Sequence, residues 1–362
     1  MKRVFLYAYD KVNFGDDLFI RTIINRYPDV QFYLWSDKLN QKIFKDYKNL
    51  KVVNKESKFI SILSKIRPSL SARYQEGMKK RCKAVVYIGG SIFMEYPSWK
   101  NIVNWWEYQN EHYAFFVLGA NFGPYKSDEY KKAMEDVFQR MDDICFRDRY
   151  SYDLFRKIDT VRYAPDILFS HPMPIVEKKK KQIFISIIDC DRKEDGKFKQ
   201  YRKPYEKVIQ YIVEQFIEKK YIVKLVSFCK SEGDEEAARR IKEQFINHGT
   251  YSNIQIIGYN GYNTKEIEYE LASSEYVIAT RFHAIILSLV AKQKVFPIIY
   301  SNKSKNMLLE IGFSGKYLDL LDLNGFEMEQ VYYNLKEEMT IDFTDVIKES
   351  KQHFEKLDKV LK

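Results

Sequence analysis

Arg281 and His283 stand two residues apart in "ATRFHAIILSLVA", and Lys303 and Lys305 follow in "VFPIIYSNKSK". Arginine presents a rigid fork of N–H donors that matches a carboxylate or phosphate, and lysine adds a point charge. Histidine titrates near neutral pH and can hand a proton to a bound molecule. Such a set suits a small anionic substrate that must be protonated. Further candidates lie upstream: Asn13, Asp16 and Asp17 in "NFGDDL", Gly89, Gly90 and Ser91 in "GGS", and Arg147 and Arg149 in "FRDRYS". Two glycines in a row let a ligand approach the backbone closely. Each residue also has an ordinary use. Arg281 could pair with a carboxylate, His283 could be a hydrogen-bonded core residue, an Asp of "NFGDDL" could cap a helix, and the lysines could be solvated.

What sets these residues apart is the edge they share. "EYVIAT" reads as a strand, "AIILSLVA" as a short helix apolar on nearly every face, and "VFPIIY" as the next strand. In this β-α-β unit Arg281 and His283 fall at the carboxyl end of the first strand, and Lys303 falls at that of the next. Ligands of open parallel sheets bind at this edge, beside helix N-termini whose free N–H groups favour anions. "FRDRYS" reads as an extended strand with Arg147 and Arg149 on one side, and "APDIL" (164–168) as a turn with a structural Asp166.

The same alternation runs through the chain. "RVFLYAY", "VQFYLW", "LKVVN", "AVVYIGG", "YAFFVLGA" and "DICFRD" read as strands, with helices over 16–27, 37–47, 57–81, 99–111 and 127–141. "SHPMPIVEKKKKQ" has two prolines, a charge run and no periodicity, and reads as a linker. Beyond it, "IFISII", "YIVKLVSF", "IQIIGY", "EYVIAT" and "VFPIIY" alternate with helices near 203–219, 234–247, 264–273, 284–291 and 303–311, and two more helical stretches close the chain. The expected fold is α/β: two Rossmann-like domains, 1–172 and 182–362, facing across a cleft in the GT-B manner.

A chain of 362 residues suits two such domains. No run approaches the roughly 18 apolar residues of a membrane span, and the N-terminus does not read as a signal peptide. Cys82, Cys145, Cys190 and Cys229 are too scattered for a zinc site or a disulfide framework, which suggests a reduced, cytoplasmic protein. Its 28 Tyr and 25 Phe offer ample stacking surface. The net charge of +10 is compatible with nucleic acid, an acidic membrane or small anions. No nucleic-acid motif accompanies it, and the excess reads as lysine scattered among acidic residues.

Taken in order, "NFGDD", "GGS", "LGANFGP", "FRDRYS", "APDIL", "TRFHA" and "YSNK" resemble the polysaccharide pyruvyl transferase family. The chain departs from the family's pattern at Val12 and Ser91, where glycines are common. The resemblance implies transfer of the enolpyruvyl group of phosphoenolpyruvate, a co-substrate, onto two hydroxyls of a sugar. The product is a cyclic pyruvate ketal in a cell-surface polysaccharide precursor, and phosphate is released. It implies that Arg147, Arg281 and Lys303 bind the donor's anionic groups and that His283 protonates the vinyl carbon. Asp16 is expected to orient or deprotonate the acceptor, with Asn13, Gly89, Gly90 and Ser91 contacting substrate. The N-terminal domain would be the acceptor side and the C-terminal domain the phosphoenolpyruvate side. The chemistry calls for no metal or other cofactor. The acceptor is expected to be lipid-linked, which together with the basic charge suggests peripheral contact with acidic membrane at its inner face.

Two rival readings remain at this level. A GT-B glycosyltransferase could place Arg281 and Lys303 on a nucleotide-sugar diphosphate. A non-catalytic scaffold would be expected to lack one of Arg147, Arg281, His283 and Lys303, yet all are present.

Overall fold

Runs rich in β-branched and aromatic residues become strands, the central ones largely buried on both faces, and the stretches between them become helices. The computed structural model describes residues 1–66, 68–247, 249, 251–323, 326–337 and 342–362. One sheet consists of β1 (Arg3–Tyr7), β2 (Gln31–Ser36), β3 (Leu50–Asn54), β4 (Ala84–Ile88), β5 (Phe115–Ala120), β6 (Asp143–Phe146) and β7 (Val161–Tyr163). Its order is β3-β2-β1-β4-β5-β6-β7, and every pairing is parallel. The other consists of β8 (Lys179–Ile187), β9 (Ile222–Ser227), β10 (Ile254–Gly258), β11 (Ser274–Ala279), β12 (Lys294–Ile299) and β13 (Leu318–Asp319). Its order is β10-β9-β8-β11-β12-β13, again all parallel.

The chain divides into two compact units, and neither is a continuous stretch. The first comprises Met1–Asp10, Leu18–Ile167 and Val346–Lys362; the second comprises Lys11–Asp17 and Leu168–Asp345. The change of unit at 167/168 falls just ahead of the proline-rich linker, but two segments differ from a simple division into halves. The C-terminal segment joins the first unit because its polar groups find partners there. Asp358 accepts hydrogen bonds from Arg26 (Nη2, 2.6 Å) and Tyr27 (2.6 Å), and Ser350 Oγ donates to the Asp166 carbonyl at 2.9 Å. Residues 11–17 join the second unit because Phe14 is buried there. Its ring lies 4.6 Å from that of Phe228 and 5.2 Å from that of Tyr259, and its N–H donates to the Phe228 carbonyl at 3.0 Å.

Three local readings change. The stretch 57–81 forms two helices, Lys58–Ile66 and Pro68–Lys79, with residue 67 outside the described residues. A proline opens the second helix, where its missing N–H is tolerated. "FRDRYS" is not one extended strand: β6 ends at Phe146, and Asp148 caps the helix Arg149–Phe155 by accepting the Ser151 N–H at 2.9 Å. Arg149 then stacks on Tyr163, 4.3 Å from its ring centre. The aromatic richness serves packing. Phe93, Trp106, Phe115, Phe138 and Phe155 are buried against one another in the first unit, with Phe138 4.9 Å from both Phe93 and Phe155.

Candidate functional site

In each unit, chemically active residues gather at the carboxyl edge of the sheet. The first unit places the turns after β4, β5, β6 and β7 side by side because those strands are neighbours. They carry Gly89–Ser91, Asn121, Arg147 and Asp166 in that order. Arg147 is 6% exposed. Its Nη1 donates to Asp166 Oδ2 at 2.9 Å and its Nη2 to Asn121 Oδ1 at 2.8 Å. Ser91 Oγ donates to the same Asn121 oxygen at 3.2 Å. The guanidinium lies directly on Gly90, where a β-carbon would come within 2.2 Å of Nη2. The glycine pair thus admits an arginine of the chain itself. Asp166 is structural in that it holds Arg147.

In the second unit, Arg281 and His283 fall where β11 gives way to the helix Phe282–Val290. That helix is apolar all round, and Ala284 to Leu289 are buried, so its N-terminus is fixed. Ser186 Oγ, in β8, accepts the N–H groups of Thr280 (2.8 Å) and Arg281 (3.1 Å). The order β9-β8-β11 leaves the turn after β9 two strands, about 10 Å, from Arg281, within reach of its long side chain. Arg281 Nε donates to Asp234 Oδ2 at 2.8 Å, Nη2 donates to Asp234 Oδ1, and Nη1 donates to Glu232 Oε2 at 2.6 Å. Lys193 Nζ donates to the same Glu232 oxygen at 2.6 Å. Burial opposes ionisation of Glu232, but Arg281 and Lys193 outweigh it and hold the carboxyl down at about 2.

Arg281 is therefore already neutralised by the chain. The sequence left open whether Arg281 faces a ligand or pairs with a carboxylate, and it did not show Lys193, Glu232 and Asp234 as its neighbours. "KSEGDEE" reads as an acidic helix start, and nothing local shows that its Asp234 is wholly buried. A guanidinium has five N–H groups, and three of them are used in these bonds.

His283 and Lys303 both border Phe282. The His283 ring lies 5.3 Å from the Phe282 ring, and Lys303 Nζ lies 5.5 Å above it, in the first turn of the helix Asn302–Glu310. The segment 11–17, whose last four residues open the helix Phe14–Arg26, reaches the same place from the far end of the sequence. Asn13 Oδ1 accepts the Gly15 N–H at 3.1 Å, and Tyr259 donates to Asp17 Oδ2 at 2.5 Å. Asp17 is thereby a buried anchor, and Asp16 beside it is half-buried. Gly15 packs so closely on His283 that a β-carbon would lie 1.7 Å from Nδ1. The second unit thus assembles Asn13, Asp16, Arg281, His283 and Lys303, while Gly89, Gly90, Ser91 and Arg147 belong to the first.

The Gly15–His283 approach yields a prediction whose sign runs against helix propensity. Gly15 is helical, so alanine would ordinarily stabilise by about 0.5–1 kcal/mol. Here the methyl group must move the imidazole. Gly15→Ala is expected to remain folded and lose at least about tenfold in activity, the scale of a misplaced catalytic group. Wild-type activity in this variant would show that the His283 position is not used.

A family model for polysaccharide pyruvyl transferases matches residues 13–302. No curated protein matches the sequence significantly. Among solved structures, the Anabaena protein HepE, crystallised with UDP, aligns at a TM-score of 0.58 with 13% identity, covering 99% of this chain and 100% of its own. The UDP-GlcNAc 2-epimerase of Neisseria meningitidis, bound to UDP-GlcNAc, aligns at 0.58 with 10% identity over 99% and 100%. TarM aligns at 0.56 with 9% identity over 100% and 99%. At such identities the likeness speaks for the fold, which is of the GT-B type.

Proposed function

Because the chain belongs to the polysaccharide pyruvyl transferase family, we propose that it moves the enolpyruvyl group of phosphoenolpyruvate onto two hydroxyls of one sugar in a cell-surface polysaccharide precursor. One observation carries this reading. At two helix N-termini on the carboxyl edge of the second sheet, a histidine and a lysine both border Phe282, and the arginine that precedes Phe282 is anchored by Asp234 and Glu232. Phosphoenolpyruvate bears about three negative charges near neutral pH, and free helical N–H groups, Arg281 and Lys303 suit its carboxylate and phosphate. Asp234 fixes the Arg281 fork, so its remaining N–H groups are presented in one orientation. Arg147, fixed by Asp166 and Asn121, is assigned as a further substrate-binding cation.

The reaction needs a proton at the vinyl carbon C3 while a sugar hydroxyl attacks C2. His283 supplies the proton. Asp16, next to the glycine that touches His283, takes the hydroxyl's proton. A second hydroxyl then attacks C2, the bond from C2 to the phosphate oxygen breaks, and the departing phosphate takes that hydroxyl's proton. The product is a cyclic ketal whose methyl group carries one new hydrogen.

The test is an incubation with phosphoenolpyruvate and a panel of lipid-linked sugars in D₂O. Phosphate and ketal are expected in equal amounts, with a single deuterium on the ketal methyl group, or more if the first protonation reverses. Turnover of a nucleotide sugar without phosphoenolpyruvate would refute the reading in favour of glycosyl transfer, and a product with no deuterium on carbon would refute protonation of the vinyl carbon.

A further inference from the structure

The chain's excess positive charge is not scattered. Residues 37–83 contain eleven lysines and three arginines against two aspartates and two glutamates, a net +10, which equals the net charge of the whole chain. The same segment, in the first unit, carries an apolar projection. On the helix Lys58–Ile66, Ile60 is 4% exposed and seats the helix, whereas Phe59 and Ile62 are each 56% exposed. Phe59 touches Tyr74 of the following helix, ring centres 5.5 Å apart, and Tyr74 is itself exposed. Lys58 and Lys65 flank the apolar pair, Arg73 adjoins Tyr74, and Lys45 and Lys51 line with Tyr74 an open cavity of about 560 Å³.

We propose that the face formed by Phe59, Ile62 and Tyr74, with its surrounding lysines, docks on an anionic lipid bilayer. Apolar side chains ringed by cations match a membrane interface, where the former enter the acyl boundary and the latter meet anionic headgroups. Charge complementarity selects this occupant. A second copy would set one strongly basic face against another, and like charges repel. Docking of this kind would hold the enzyme at the surface that displays lipid-linked sugars. The inference goes beyond the pyruvyl-transfer reading and does not rest on it, since vesicle binding requires no turnover.

The test is co-sedimentation of the full chain with vesicles of phosphatidylcholine, alone or with about one-third phosphatidylglycerol. Wild type is expected to bind the anionic vesicles at least about tenfold more tightly than the neutral ones, and to release as salt rises from about 0.05 to 0.5 M. Phe59→Asp with Ile62→Asp should weaken binding at least about tenfold. Lys58→Glu with Lys65→Glu should weaken it and flatten the salt dependence. Ile246→Asp, at another exposed apolar site (63%) in the second unit, should leave binding unchanged. Circular dichroism and the urea-unfolding midpoint should stay at wild-type values in all three variants. Four outcomes would overturn the proposal: no vesicle binding, equal binding to neutral vesicles, full binding by the Phe59/Ile62 variant, or a wild-type dimer in sedimentation velocity that this variant abolishes.

Discussion

His283→Gln is expected to lower turnover by about 10²–10⁴-fold, the usual contribution of a positioned general acid, with a much smaller change in phosphoenolpyruvate affinity. His283 sits in the first turn of a helix whose next residues are buried, and Gly15 packs on one edge of its ring, so the imidazole is held at the sheet edge beside Arg281. Glutamine retains hydrogen-bonding capacity and approximate length but cannot release a proton near neutral pH. Binding and chemistry should therefore separate: kcat falls, while the dissociation constant measured by calorimetry moves little. A variant that keeps more than about a tenth of wild-type turnover would remove His283 from the role of general acid.

The other large effect is expected at Asp234. Asp234→Ala leaves the buried Arg281 guanidinium without its two-point partner and removes the acceptor of the Phe228 and Cys229 N–H groups. Breaking a buried pair from one side costs about 3–5 kcal/mol, because the remaining charge is left uncompensated. Asp234→Asn keeps the shape and part of the hydrogen bonding, so its cost should be smaller. Urea unfolding measures both. A loss below about 1 kcal/mol in Asp234→Ala would mean that the pair does not organise this edge. Donor affinity should fall along with stability, since Arg281 would no longer be held in one orientation. Glu232 provides an acid-side check. Its carboxyl is held down at about 2 by Arg281 and Lys193, against an ordinary value of 4.5. The folded state therefore binds this proton less readily than the unfolded state does, and the contribution is complete above about pH 4.5. It is lost as the pH falls towards about 2, and Glu232→Gln should abolish that part of the acid dependence.

The sequence by itself determined the alternation of strands and helices, the parallel character of both sheets and the place of the motifs at strand ends. These are local properties. Short runs rich in β-branched and aromatic residues, such as "AVVYI" and "VFPII", read as strands buried on both faces, and a helix as apolar as "AIILSLVA" must be covered. In a parallel sheet every strand then points its carboxyl end to the same edge, so Arg147, Arg281, His283 and Lys303 fall on such edges wherever the strands sit. The short strands β7 and β13 gave too little pattern to be seen, and they complete the two sheets. Strand order was not local, and it decided the rest. Asp234 and Arg281 are 47 residues apart and meet because β8 alone separates β9 from β11. Gly15 reaches His283 because Phe14 finds its aromatic partners, Phe228 and Tyr259, in the second unit. A charged side chain announces its chemistry in the sequence. Whether it faces a ligand or a partner from the same chain depends on which distant turn the sheet brings beside it, and only the tertiary structure contains that.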